Sequence, residues 1–538
     1  MLTMSYNSLL FLVFFAALLA VYCLMPGTAA RKAVIFAGSM VFYIAAAGAG
    51  ALAVLFATSL ITYFVSVRIA GIYAAYETEL SARAEELASL EPPQKLKPKE
   101  KTALLAPYKK RAFRYLLAGL ILILGVLLYT KLGRVLGFES VTRLRDLRFS
   151  KILVPLGISY YTFSSAGYLL DIYWRKAEAE RNYFSLILCM TYFPIIVQGP
   201  ISRYDALMKQ FDALPGFSYE RVTHGLQLML WGLYKKMVLA DRLTLYPDYV
   251  FENLKEYRGP ETVLAVLANV IVLYADFSGC MDIVTGASQA LGVTLEKNFD
   301  HPFFSLSAAE FWRRWHITLG AWFRDYVYMP IATNSHFMKW TRSVKKRRGE
   351  KAGKLASSGI PLMIVWLLTG LWHGTGIDYV MWGFYWGALI IIETVFAKEL
   401  ERAGAFLHMG RRPFWHRLFQ MCRSFVYFAV GRMITATGSW NSVFRICRHI
   451  LMRPSVKTLT ASFAGAGIKG ADLLVIGISV LLLWAVGLLQ ERRSLREEID
   501  RMPLPVRWLI YYGAAALVIL WGMYGSAYNA ADFVYGGF

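Results

Sequence analysis

The stretch FWRRWHITLGAWFRDYVYMP, residues 311–330, read together with GLWHG at 370–374, decides what kind of protein this is. Each places one histidine, His316 and His373, among tryptophans and other apolar residues. An imidazole moved into hydrocarbon costs free energy unless something pairs with it, so ionisable groups at membrane depth point to function. At roughly 100° per residue, a helix over 311–328 puts Trp312, Trp315, Leu319, Trp322, Phe323 and Tyr326 on one arc. Arg313, Gly320 and Arg324 cluster beside that arc, and His316 sits on the border. With Asp325 and the arginines on the other side, such a helix suits the wall of a wet cavity.

The surrounding chain is built for lipid. Of its 538 residues 57% are hydrophobic and 15% aromatic, above the roughly 45–50% apolar share of soluble domains, which makes it a polytopic membrane protein and predicts a single membrane-embedded domain over 1–538. The formal net charge of +22 lies in short connections between apolar runs, as topology signals do, and no recognition module accompanies it, which argues against nucleic acid. Cys23, Cys189, Cys280, Cys422 and Cys447 show no close ligand pairing, so neither a disulfide framework nor a zinc site is expected.

Apolar runs near 8–25, 33–48, 51–70 and 115–131 are each about long enough for a ~30 Å bilayer core, allowing for tilt. The first lacks a charged segment before it and is followed by Arg31 and Lys32, which reads as an uncleaved span with the N-terminus outside. Residues 75–114 form a charged insert whose EPPQKLKPKEK segment interrupts helical patterning and places lysines near the bilayer, on the cytoplasmic side. Five basic residues within 132–151 conflict with simple alternation there, which suggests an interfacial or re-entrant element. Further runs near 152–173, 184–200, 225–240, 261–293, 358–378, 379–396, 417–435, 472–489 and 506–524 bring the expectation to about ten to twelve crossings. KWTRSVKKRRGEKAGK, 339–354, reads as a basic cytoplasmic loop, meeting either anionic lipid or the phosphates of coenzyme A or an acidic carrier.

The 311–331 motif, followed by LLTGLWHG and WGFYWG, resembles the membrane-bound O-acyltransferase (MBOAT) superfamily and, within it, the alginate O-acetyltransferase branch. VPLGISYYTF (154–163), YFPIIVQGPISRY (192–204) and YADFSGCMDIVTGASQALG (274–292) match in the same order, so the motif core covers about 150–390. After YVYMPI the family pattern usually continues into a glycine-rich turn, whereas this chain has ATNSHFMKW.

The resemblance implies an all-α helical bundle with re-entrant helices and a central tunnel, in a bacterial cytoplasmic membrane. Its activity would move an acyl group, acetyl above all, from a thioester such as acyl-CoA to hydroxyls of an exported or cell-envelope polysaccharide. No permanent cofactor and no metal is implied, and an extracytoplasmic transferase would be the partner. His373 matches the family's catalytic histidine, and His316 its second histidine, which orients or assists; on the residues alone, His373 could instead bond across helices as structural glue, and His316 could be an interfacial histidine anchoring a re-entrant helix. Chemically, a hydroxyl becomes a useful nucleophile when a neutral imidazole removes its proton during attack on a thioester.

Arg313, Arg314, Arg324 and Asp325 read as an ion-pair cluster or as donor-binding groups, with Trp312, Trp315 and Trp372 as tunnel walls. Asp276, Ser278 and Asp282 read as a polar tunnel wall or as helix-end hydrogen bonding, with a similar weaker reading for Gln198, Ser202 and Arg203. The tail 525–538 ends in AADFVYGGF, where Tyr535 is either an acyl relay or an interfacial anchor. A rival class, a proton-coupled transporter or flippase, would use the same histidines with Asp171, Asp276 and Asp282 as a relay.

Overall fold

The apolar runs fold into helices. The structure is a computed structural model that describes residues 4–135, 155–406, 413–437, 440–451, 458–491 and 493–524. Most of the 132–151 segment and the whole 525–538 tail, Tyr535 included, lie outside the described residues. Among the described residues the strand-like pairing is one isolated antiparallel bridge, Phe299 with Trp315. Among the described residues seven helices are long and apolar enough to cross a bilayer: Gly27–Ala47, Ala49–Ala88, Pro98–Lys131, Pro260–Ala290, Ser335–His373, Gly470–Gln490 and Leu504–Trp521, with Leu9–Leu24 a shorter apolar helix.

The insert at 75–114 is not the broken loop its prolines suggest. Ala49–Ala88 and Pro98–Val135 contain 40 and 38 residues, roughly 60 Å each at 1.5 Å per residue, about twice the hydrocarbon thickness. The charged residues therefore extend two helices beyond their apolar parts: Pro92 and Pro93 lie in the turn between them, Pro98 starts the second helix and Pro107 lies within it. Tyr108 donates a hydrogen bond to Glu79 across this hairpin, and Arg175 pairs with Glu77.

The chain divides into two compact units. The first, chiefly Ala16–Phe217, contains the long hairpin and the helices Ile158–Tyr173, Tyr183–Thr191 and Tyr204–Phe211. Its core is aromatic, with Tyr161, Tyr168, Tyr192, Phe193 and Tyr204 buried. The run at 184–200 is broken at Tyr192 before Pro194. Gln198 and Ser202 are buried in this unit, and Arg203 approaches Asp171 at 3.9 Å.

The second unit is built around Pro260–Ala290, whose apolar window is 72% buried, against 11% for Gly470–Gln490 and 6% for Leu504–Trp521. Tyr219–Leu233 lies antiparallel to this central helix along glycines: a Cβ on Gly225 would stand 2.5 Å from the Gly286 carbonyl oxygen, and one on Gly232 2.5 Å from that of Gly279. Both glycine pairs recur after seven residues, about two turns, so one seam of backbone touches backbone. The same helix continues as a π-helix over Tyr234–Ala240, which buries Lys235 and Lys236.

The basic 339–354 segment is helical rather than a loop. Asn334 caps Ser335–Lys354 by accepting from the backbone N–H groups of His336 and Phe337, at 3.0 and 3.1 Å. At Gly349, with φ 85° and ψ 178°, the helix folds back, placing Gly353 against the Lys345 side chain. Lys345, Lys346, Arg347 and Arg348 thus stand exposed at the end of one helix, where its dipole favours cations. After the bend the chain runs on to His373.

Candidate active site

The expected continuous helix over 311–328 is broken at the histidine. Ala308–Arg314 is helical, with Ser307 accepting from the Glu310 N–H at 3.1 Å; Trp315 is extended, His316 adopts φ 48° and ψ 51°, and Ile317–Phe323 begins a second helix. The competing interaction is a two-residue ribbon with 298–300: Asp300 N donates to Arg314 O at 2.9 Å and Ile317 N to Asn298 O at 3.1 Å. A left-handed conformation at a non-glycine residue costs about 1–3 kcal/mol and persists only where its surroundings hold it. Burial of the Trp315 ring is part of that hold. Its centroid lies 4.9 Å from Phe299 and 4.7 Å from Phe428.

The break removes the single arc and separates its members. Trp315 enters the Phe299–Phe428 cluster, Trp312 packs against Trp366, Trp382 and Trp386 at 4.8, 5.5 and 5.0 Å, and His316 turns toward Phe277 and Trp372 at 5.0 and 5.9 Å. His373 is the last residue of the helix Ile360–His373, and its ring lies 6.4 Å from that of His316 with planes inclined at 57°. Trp372 and Trp382 stand 4.8 and 5.1 Å from His373. Both imidazoles are buried, at 2% and 5% exposure. Gly370 permits the close crossing of the two helices here, since a Cβ would meet the Tyr379 carbonyl oxygen at 2.3 Å; Gly374 instead ends the helix in an extended conformation.

Asn298, which the sequence reading passed over, organises His316. Its Oδ1 accepts from Thr318 N at 3.1 Å and Thr318 Oγ1 at 3.0 Å, and lies 3.2 Å from His316 Nδ1. An amide oxygen already receiving the Thr318 N–H is an acceptor, so the proton sits on Nδ1 and the lone pair on Nε2. His316 lies outside the candidate spans, and burial pushes its imidazole down to about 3, leaving the ring neutral at ordinary pH. No spacing signal marks Asn298. It becomes legible only when 298–300 pairs with 314–317.

The charged residues of the motif do not form one cluster. Arg314 bonds Glu310 at 2.9 Å and Glu491 at 2.6 Å, Arg324 bonds its neighbour Asp325 at 2.9 Å, and Arg313 is exposed. Asp276, Ser278 and Asp282 meet a pair of lysines that the sequence reading also missed: Lys236 Nζ is 2.6 Å from Asp276 and 2.8 Å from Asp241, and Lys235 Nζ is 2.8 Å from Asp282 and 2.9 Å from Ser278 Oγ. Two lysines inside the apolar run 225–240 were the available signal, because buried cations require buried partners. In the structure Asp276 and Asp282 are each ion-paired with a buried lysine, and Ser278 accepts from Lys235. Phe277, between Asp276 and Ser278, is the face of the same helix that meets His316.

Fold and site together define an all-helical membrane protein with two buried histidines converging among tryptophans. Residues 172–433, just under half of the chain, match the sequence profile of MBOAT, the membrane-bound O-acyltransferase family, and the chain is an integral, multi-pass membrane protein. It is 33% identical over 290 residues to a probable alginate O-acetylase of Pseudomonas syringae pv. tomato, covering 53% of this chain and 52% of that relative. It is also 27% identical to a peptidoglycan O-acetyltransferase of Helicobacter pylori, over 47% and 49% of the two chains. With a teichoic acid D-alanyltransferase of Bacillus subtilis it shares 26% identity, over 45% and 60%. The match spans about half the length of the alginate relatives.

Proposed function

We propose that this protein is an O-acyltransferase that moves an acyl group, acetyl in the simplest case, from a thioester to a hydroxyl of an exported or cell-envelope polysaccharide. The observation that carries this reading is the meeting of His316 and His373, far apart in sequence, with ring centres 6.4 Å apart in a buried aromatic enclosure. Similarity to relatives named for acetylating alginate and peptidoglycan supports the acceptor class.

In the proposed step His373 takes the proton of the acceptor hydroxyl as its oxygen attacks the thioester carbonyl. The carbon–sulfur bond then breaks, and the imidazolium returns its proton to the departing thiolate, so that an ester and a thiol result. His316, its Nδ1–H held by Asn298, presents Nε2 as an acceptor that orients the hydroxyl. The donor is acyl-CoA or another cytoplasmic thioester, the basic hairpin around Lys345–Arg348 attracts its phosphates, and an extracytoplasmic transferase completes delivery in the bacterial cytoplasmic membrane.

His373→Ala removes a costly buried polar group and is expected to leave insertion and folding intact while abolishing acyl transfer. Purified, well-folded variant that acylates at a near-normal rate would overturn the assignment. Turnover of a thioester by the wild-type protein separates this reading from that of a transporter.

A further inference from the structure

A slot of about 200 Å³ lies in the second unit, away from the two histidines. Three long helices wall it, Tyr219–Leu233 with its π-helical continuation, Gly470–Gln490 and Leu504–Trp521, the last two being the least buried of the candidate spans, and the short helix Leu495–Asp500 lines one end. Polarity is graded along all three. At one end stand Gln227, Gln490, Tyr511 and Arg496, with Gln227 Nε2 donating to Tyr511 Oη at 2.7 Å. At the other stand Leu482, Leu517 and Tyr234, whose hydroxyl is satisfied by Ser479 Oγ at 2.8 Å.

From Gln490 to Leu482, from Tyr511 to Leu517 and from Gln227 to Tyr234 the rise is about 9–12 Å at 1.5 Å per residue. The polar end coincides with the segment that joins two candidate spans, which contains Arg496 in the short helix Leu495–Asp500. That end is therefore at headgroup level, and the apolar end reaches into hydrocarbon depth. Its volume exceeds the roughly 150 Å³ of an apolar cavity that accepts benzene.

Charge selects the occupant. Arg496 bonds a neutral acceptor, Gln289 Oε1, at 3.2 Å. The acidic groups that act on it are engaged elsewhere, Asp282 by Lys235 at 2.8 Å and Asp500 by His224 at 2.6 Å. A guanidinium at headgroup level above an apolar slot matches a phosphate joined to an acyl chain. We propose that this slot holds one acyl chain of an anionic phospholipid whose phosphate is seated on Arg496.

The test uses the full-length protein purified in mild detergent, with bound lipid counted by native mass spectrometry after exposure to phosphatidylglycerol or phosphatidylcholine of identical chains. Wild type is expected to retain about one phosphatidylglycerol in preference to phosphatidylcholine. Arg496→Gln is expected to lower that preference about tenfold, whereas Arg493→Gln, on an exposed neighbour paired with Glu498, leaves it unchanged. Ala514→Trp, or Leu482→Phe should the first fail to fold, fills the slot and is expected to abolish retention of both lipids. Equal retention of the two lipids by wild type, full retention by a folded slot-filling variant, or complete displacement of the lipid by glycerophosphate without chains would overturn the proposal.

Discussion

Asn298→Ala isolates the element that holds His316. The substitution removes one oxygen that serves Thr318 N, Thr318 Oγ1 and His316 Nδ1. The Thr318 hydroxyl can rotate to another acceptor, but the Thr318 N–H and the His316 Nδ1–H are fixed. Leaving a buried donor unsatisfied costs about 1–3 kcal/mol, so the two together amount to roughly 2–6 kcal/mol of stability. Part of that loss falls on His316 itself, whose left-handed backbone depends on its surroundings. With Nδ1 released, the ring is free to change tautomer and to rotate away from His373. A displacement of about 1 Å at a reacting group costs on the order of 100-fold in rate. Asn298→Asp keeps the acceptor but adds a negative charge, which favours imidazolium and raises the depressed pKa of His316. The assay is initial-rate acyl transfer to polysaccharide across a pH series, with thermal unfolding measured on the same detergent-solubilised samples. We expect Asn298→Ala to lose about 100-fold in rate. Asn298→Asp is expected to recover part of that loss at high pH and to fail at a higher pH than wild type, because the histidine must shed its proton to accept one. An Asn298→Ala protein that folds and transfers at the wild-type rate, with an unchanged pH profile, would refute the positioning argument.

Other expectations follow from the buried charges, the basic hairpin and the tail. Lys236→Met removes the cation shared by Asp276 and Asp241 and is expected to destabilise the protein by about 3–5 kcal/mol in thermal or denaturant unfolding, while Lys236→Met combined with Asp276→Leu recovers part of it; no recovery would mean that the Lys236–Asp276 pair is not the stabilising unit. Replacing Lys345, Lys346, Arg347 and Arg348 together with glutamine should raise the apparent KM for the thioester at low ionic strength and flatten its salt dependence. An unchanged KM with altered membrane orientation would assign the hairpin to topology alone. Tyr535→Phe keeps the ring and removes the hydroxyl, so a relay predicts loss of polysaccharide acylation with continued slow thioester hydrolysis, and full acylation would make the tail an anchor.

Residence in lipid was legible from apolar content, and so was the pairing of two histidine motifs in an acyltransferase-like order, because local composition and motif identity do not depend on distant partners. The sequence also set Trp372 beside His373, and in the structure its ring meets both histidines. It misled at 311–328, where helical periodicity is real but the ribbon between 298–300 and 314–317 competes for the backbone at Trp315 and His316. Likewise 339–354 reads as a loop by charge, yet Asn334 starts a helix and Gly349 folds it back. Asp276 and Asp282 read as costly in an apolar run; which groups offset that cost depends on the glycine seam that brings Lys235 and Lys236 alongside the central helix. Periodicity and composition are properties of a segment and can be read from the chain. The 6.4 Å approach of His316 to His373, the proton on Nδ1 and the partners of the buried lysines arise between segments remote in sequence, and only tertiary packing decides them.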